Sequence, residues 1–347
     1  MAPRFLVPEW SPQDAVLLTW PHLRTDWAPV LESVEPVYIE LTRQISLRER
    51  VLIICLDDTH RAEVADKLHH ASIDLDAIVL FVVPTNDTWV RDYGPLTIHT
   101  DSGPELLDFC FNGWGGKFSA TLDDRVTHEL HHLGAFGTTP LVHENLVLEG
   151  GAIDTDGTGS LLSSTRSMQS GTRNPSLDKS RLKARLRATF GLQQILWLEH
   201  GYLEGDDTDG HIDNLARFCN ETTIAYTACE NPDDPHYSEL QAMASELRGL
   251  RNAEGKSYAL IPLPLPTAKY AAAGRRLPAS YANFLIINEA VLLPVYDDPS
   301  DEPARERLAD AFPERDIIPI DCQPLIQQNG SLHCSTLQLP KGILETD

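Results

Sequence analysis

The stretch Ile78-Val-Leu-Phe-Val-Val83, followed by Asn86-Asp-Thr-Trp-Val-Arg-Asp-Tyr-Gly-Pro95, decides how this chain folds. The β-branched and aromatic run reads as a short buried strand, and the polar segment ending in Gly-Pro reads as the loop at its end. Loops in that position are where side chains commonly meet ligands. The same order returns at Leu146-Val-Leu-Glu149-Gly-Gly151, and again at Gly210-His-Ile-Asp213 beyond an apolar run over 194–198. Asp92, Glu149 and His211 stand roughly sixty residues apart, which suits a repeated unit offering one chemically active motif at a strand end. Further strands are expected over 15–20, 51–56, 106–111, 161–165, 218–228, 258–263, 284–295 and 316–320. Helices are expected over 30–47, 61–69, 123–133, 177–190 (capped by Ser176), 235–250 and 302–311. Such alternation indicates an α/β class. No linker or low-complexity tract divides the chain, and no G-x-G-x-x-G follows a strand, so paired dinucleotide-binding domains lack their signature.

Composition narrows the partners. With 28 Lys and Arg against 51 Asp and Glu, the formal charge is −23. Nucleic acid and anionic membrane are therefore poor partners, whereas a small cation would be drawn in; solubility alone also accounts for acidity. No run approaches a membrane span, and the first residues lack the apolar core of a signal peptide. Six cysteines without close pairing point to a reducing cytosol, and no C-x-x-C suggests a zinc ribbon.

Cys334 stands apart from the other cysteines. Cys55, Cys110, Cys219, Cys229 and Cys322 sit in or beside apolar runs, where a thiol behaves as a small hydrophobe. Cys334 lies in the polar turn Asn329-Gly-Ser-Leu-His-Cys334-Ser-Thr336, the setting in which a sulfur can meet a ligand. His211 and Asp213, two apart, share one face if their segment is extended, and a histidine beside an acid can move protons. Bland readings exist for each motif: a solvated turn at 206–209, an Arg91–Asp92 surface pair, a tight turn at Glu149. Calcium loops fit neither 154–165 nor the segment around Gly210, because the terminal glutamate is missing. A cysteine, a histidine and several carboxylates allow either metal binding or covalent attack on an electron-poor carbon. Attack on a guanidinium carbon fits better, since that planar cation is held naturally by carboxylates.

Taken together, Trp89-Val-Arg-Asp92-Tyr-Gly-Pro95, Phe111-Asn-Gly-Trp-Gly-Gly-Lys117, Glu149-Gly-Gly151, the segment from Gly205 to Asp213, Pro278-Ala-Ser-Tyr-Ala-Asn-Phe284 and His333-Cys334 resemble the agmatine deiminases. These belong to the guanidino-group-modifying superfamily, with the arginine and peptidylarginine deiminases. The resemblance implies a single domain over 1–347, a five-bladed α/β propeller (pentein) of ββαβ units around a central site. It implies hydrolysis of agmatine to N-carbamoylputrescine and ammonia in the cytoplasm, as a step of putrescine and polyamine biosynthesis, by a homodimer with no metal or organic cofactor. Carried over by position, Cys334 resembles the nucleophile, His211 the general acid/base, and Asp92 and Asp213 the guanidinium-binding pair. Glu149 resembles the carboxylate that supports substrate and histidine; Trp89 and Asp207 match positions along the aminobutyl chain and its ammonium. Where the family reads Gly-Gly-Gly-Asn-Ile-His-Cys, this chain has Gln328-Asn-Gly-Ser-Leu-His-Cys334, a difference that bears on the loop's backbone and on substrate tuning. Free arginine or peptidylarginine is the alternative substrate, and a metal-dependent hydrolase or a non-catalytic polyamine binder is the alternative from another class.

Overall fold

Strands that are apolar on both faces need cover on both faces, and Arg50–Cys55 is such a strand, buried at every position after the first. In the computed structural model, which describes residues 4–344, its cover includes the helix Leu31–Ser46. That helix presents Val34, Val37, Tyr38, Leu41 and Ile45 on one buried stripe, the spacing of an amphipathic helix.

One pattern recurs through the chain: an antiparallel strand pair, a helix, and a third strand parallel to the second. It appears as Leu96–Thr100, Gly103–Cys110 and Leu141–Val147, with Val126–His132 in the crossover. The next units are Ile153–Thr155, Ser160–Ser164 and Gln194–Leu198, crossed by Lys179–Phe190, then Ala216–Asn220, Thr223–Ala228 and Ala259–Pro264, crossed by Tyr237–Gly249. A small hairpin, Lys269–Tyr270 with Arg276–Leu277, precedes Leu285–Ile287, Ala290–Val295 and Asp316–Asp321, crossed by Asp301–Ala311. The remaining sheet draws on both ends of the chain. Gln13–Thr19, Arg50–Cys55 and Ile78–Val82 run parallel, and Thr336–Pro340 pairs antiparallel with Gln13–Thr19. The short strand Arg4–Leu6 adds to the edge of Leu96–Thr100.

Several sequence expectations require correction. The run over 284–295 is two strands, because the polar pair Asn288-Glu289 makes a two-residue turn with Glu289 at φ 63°. The run over 218–228 likewise folds back at Glu221-Thr222. Helix Lys179–Phe190 is capped by Asp178, whose carboxylate accepts from the Arg181 amide, and not by Ser176. Strands Leu96–Thr100, Leu141–Val147 and Thr336–Pro340 carry too many polar residues to stand out as apolar runs, and their pairing comes from neighbouring strands.

The closing strand gives a direct test. Leu339 is fully buried there, so Leu339→Ala is expected to cost about 2–5 kcal/mol in urea unfolding. The half-exposed Leu133→Ala should stay within about 0.5 kcal/mol.

Candidate active site

The segments that leave each parallel third strand converge on one place. The segment after Ile78–Val82 carries Trp89 and Asp92, that after Leu141–Val147 carries Glu149, and that after Gln194–Leu198 carries Asp207, His211 and Asp213. Asn283 follows Ala259–Pro264 and the small hairpin, and Cys334 follows Asp316–Asp321. A pocket is lined by Cys334, Asp92, Trp89 and Trp114, and farther out by Asp26, Asp87 and Asp207. Of the site residues singled out from the sequence, Trp89, Asp92, Asp207 and Cys334 line this pocket, while His211 lies against Asp92 and Glu149, and Asp213 lies against Cys334.

Cys334 is 6 % exposed, so its polar turn is enclosed and the pocket is its opening. Its thiol lies 3.5 Å from Asp213 Oδ2 and receives the Asn283 amide Nδ2 at 3.2 Å. Asn283 Oδ1 in turn accepts from the His333 backbone amide at 2.9 Å, which fixes the turn before the cysteine. Burial pushes the Cys334 thiol well above its usual range, and the carboxylates of Asp213 and Asp92 push it further.

His211 and Asp213 do not come from an extended segment: His211 stands at the start of the 3-10 turn Ile212–Asn214. The imidazole Nδ1 lies 3.6 Å from Asp92 and Nε2 lies 3.8 Å from Glu149. Burial alone would lower the His211 pKa; Asp92 and Glu149 outweigh it and raise the value to about 9. The two carboxylates thus favour the protonated ring. Burial raises Asp92, partly offset by His211, and its two oxygens accept from Trp114 Nε1 at 2.8 Å and from the Gly151 amide at 2.9 Å. For Glu149 and Asp213 burial is outweighed, so both are held below the ordinary carboxylate range, Glu149 by His211 and Arg173 and Asp213 chiefly by His333. Among the described residues, Asp213 Oδ1 and His211 Nε2 are buried without a hydrogen-bond partner, which leaves an acceptor and a ring nitrogen with unused hydrogen-bonding capacity.

Two glycines are dictated by close approach. A Cβ on Gly151 would come within 2.7 Å of His211 Nδ1 and 2.9 Å of both Asp213 Oδ2 and Asp92 Oδ1, so the Glu149-Gly-Gly151 motif leaves space for three site groups to meet. A Cβ on Gly330 would fall 2.3 Å from the Trp89 ring. That accounts for the glycine retained in the 328–331 loop. Asn329 takes a left-handed φ of 70°, which asparagine tolerates, and its side chain donates to Asp207 at 2.8 Å. The loop is thereby tied to the outer acids.

Sequence reasoning missed several members. Arg173 is buried and donates to both Glu149 oxygens at 2.8 Å, to Asp209 at 2.7 Å and to the Thr208 carbonyl at 2.8 Å. Its stretch Gly171-Thr-Arg173 has no pattern to mark it. Trp114 and Asn283 lay inside quoted motifs without an assigned role, while Asp26 and Asp87 were not singled out. Arg91 is not a surface partner of Asp92: it is buried and pairs with Glu9 at 3.0 Å. Asp209, which the solvated-turn reading left in water, pairs with Lys117 at 2.8 Å as well as with Arg173. Cys110, expected to be buried, is partly exposed, with its sulfur 4.0 Å from His143 Nε2.

Comparison with known proteins adds one family and three relatives. Residues 5–340 match the family described as Porphyromonas-type peptidyl-arginine deiminase. A solved structure from Porphyromonas gingivalis, named provisionally as an arginine deiminase, is 46% identical, covers 99% of this chain and 100% of its own, and superposes with a TM-score of 0.91. A C. jejuni agmatine deiminase variant with substrate bound is 38% identical over 99% of this chain and 97% of its own, also at a TM-score of 0.91. A Selenomonas ruminantium protein named provisionally as an agmatine deiminase is 31% identical over 97% of this chain and 95% of its own.

The electrostatics of the empty pocket predict the reactivity of Cys334. Alkylation by iodoacetamide, followed by mass spectrometry, should be slow near neutral pH and accelerate steadily towards alkaline pH. In Asp213→Asn the repelling charge is gone, and each unit by which the thiol's pKa falls raises the neutral-pH rate about tenfold. An unchanged or slower rate in that variant would contradict the assignment of cause.

Proposed function

This chain belongs to the Porphyromonas-type peptidyl-arginine deiminase family, and we propose that it is an agmatine deiminase, hydrolysing agmatine to N-carbamoylputrescine and ammonia. One observation carries the choice of substrate. The pocket holds a thiol and Asp92 at its inner end and Asp26, Asp87 and Asp207 farther out, and none of the described residues lining it is a lysine or arginine. A guanidinium at one end and an ammonium at the other match that lining. The α-carboxylate of arginine would lack a cation and would face acids instead. Burial, with repulsion from Asp26 and Asp207, raises Asp87 to about 7, so a bound ammonium would also relieve repulsion already present.

In the proposed mechanism Asp92 and Asp213 hold the guanidinium, with the open Oδ1 of Asp213 accepting from its nitrogen. On substrate binding the Cys334 thiol loses its proton to solvent, and the thiolate sulfur adds to the guanidinium carbon, moving a C=N electron pair onto nitrogen. The His211 imidazolium then donates a proton to the departing nitrogen; the C–N bond breaks, ammonia leaves, and a covalent thiouronium remains. Neutral His211 accepts a proton from water as its oxygen bonds to that carbon. Collapse of the tetrahedral adduct breaks the C–S bond and restores the thiolate, while the hydroxyl proton passes to solvent, where ammonia can take it up, and the neutral urea product leaves. Glu149, clamped by Arg173, supports the imidazolium between these steps. Trp89 and Trp114 wall the apolar part of the channel and Asp207 takes the ammonium.

The same field makes substrate its own activator. Asp92 and Asp213 oppose a thiolate in the empty pocket, and a dication reverses their effect, so binding promotes ionisation of Cys334. We extend the reading to one domain over 1–347 in which the five sheets of three or four strands form the blades of a propeller. The repeated strand pattern and the convergence of the five connecting segments support it. A cytoplasmic homodimer serving putrescine and polyamine synthesis rests on the family resemblance.

Ammonia release from agmatine, free arginine and a blocked arginine peptide tests the substrate. Agmatine should be preferred by at least about a hundredfold in kcat/KM, a difference of roughly 2.7 kcal/mol. Preference for either arginine substrate would overturn the reading, as would turnover retained in Cys334→Ser. Ultraviolet thiolate absorbance should rise when a non-reactive dicationic guanidine fills the wild-type pocket.

A further inference from the structure

The hydrogen-bond chain behind Cys334 continues past Asp213 to a residue of the first strand-to-strand connection. Asp213 Oδ2 lies 2.9 Å from His333 Nδ1, and the other ring nitrogen, Nε2, lies 2.8 Å from Glu9 Oε1. Both nitrogens thus face carboxylate oxygens, and a ring that donates to both satisfies the geometry. Glu9 is fixed in turn by Arg91 at 3.0 Å, by Arg217 and by Gln338 Nε2 at 3.0 Å. Arg217 is held by Asp154 at 3.0 Å and packs its guanidinium over the Phe284 ring. Neither Glu9 nor His333 lines the pocket at Cys334. Glu9 lines a separate cavity with Arg91, Asp154 and Gln338.

The groups facing Asp213 are the cationic or donor side chains of His333, His211 and Arg217, the Cys334 thiol and the nearby Asp92. Those facing Glu9 are His333, Arg91 and Arg217, with Asp154 beyond Arg217. Burial works against the ionised form of Asp213, and the His333 ring is the first influence opposing it. Without the Glu9 acceptor on Nε2, that ring loses the contact that fixes its orientation towards Asp213.

We propose that Glu9 and His333 are positioning residues of the substrate site: through the imidazole, Glu9 holds Asp213 as a carboxylate with its free Oδ1 open to the guanidinium. The proposal rests on Asp213 as a guanidinium partner in the agmatine reading above. It assigns a role in binding to the Pro8-Glu9-Trp10 segment, which lies far from the pocket in sequence. It also assigns the histidine next to the nucleophile a task separate from proton transfer to substrate.

The test measures agmatine binding by calorimetry in the Cys334→Ser protein, where turnover is removed. Between about pH 6 and pH 8 the affinity of that protein should carry only the gradual gain that follows ionisation of Asp87, and this profile is the reference for the variants. Adding E9Q should weaken binding about tenfold or more at the acid end and much less at the alkaline end, as Asp213 takes up a proton. E9D, which keeps the carboxylate, should recover most of the difference. H333N, which retains an amide donor but drops the link to Glu9, should reproduce the acid-side loss and serves if E9Q does not fold. A loss of equal size at every pH, or none, overturns the proposal. In the Cys334→Ser protein without other changes, the Nδ1 proton of His333, followed by NMR, should shift on agmatine binding; an unmoved resonance overturns the proposal whether or not the variants fold. Failure of that parent protein to bind agmatine would count against the agmatine reading itself, whereas binding with an unchanged E9Q profile counts against the role of Glu9.

Discussion

Ionised groups removed from water must be matched, and the centre of this protein is arranged around that constraint. Glu9, Asp92, Glu149, Asp154 and Asp213 are buried or nearly so, and each lies against an arginine or a histidine. Removing one partner from such a pair commonly costs about 3–5 kcal/mol, because a lone buried charge remains. The arrangement therefore locks side chains from distant parts of the chain into one geometry. Arg173 joins Glu149 to the 206–209 turn, and Glu9 joins Arg91, Arg217 and His333. Around Cys334 the matching is left incomplete on one side. Among the described residues that line that pocket, none is a lysine or arginine.

The fold makes this concentration of charge possible. Each repeated unit ends on a strand parallel to its middle strand, and the chain must cross towards the next unit from that strand's end. Those crossings carry polar residues and glycines, and their site residues lie close together. The packing is tight enough that a single added Cβ at Gly151 would intrude on three functional groups. Rigid sheets thus supply position while the crossings supply chemistry, a division that suits catalysis by orientation.

The units with strong apolar strands and amphipathic helices were readable from residue pattern, as Arg50–Cys55 and Leu31–Ser46 illustrate. Hairpins hidden inside continuous apolar runs were not, because two polar residues at Asn288-Glu289 look like a minor interruption. In the site, the charged residues announced themselves through motifs at strand ends. Asn283 did not, since an amide bonding to a thiol has no charge or spacing to betray it. Arg173 and Glu9 were invisible for a different reason. Their importance lies in pairing across long sequence separations, 24 residues to Glu149 and 324 residues between Glu9 and His333, and pairing of that kind is a property of the folded chain.

The strand Thr336–Pro340 pairs with Gln13–Thr19, and Cys334 stands just before it. On the ribosome, the sheet begun by Gln13–Thr19 keeps an open edge until nearly all of the described chain has emerged. The same late event that covers this edge carries Cys334 and the pocket-lining loop 328–330 into place. Asp26, Asp87, Asp92 and Asp207 leave the ribosome well before them, but the pocket they line is closed only when the first sheet is completed. Sulfur and finished architecture arrive together, so stalled or shortened translation products would lack the thiol as well as the seal.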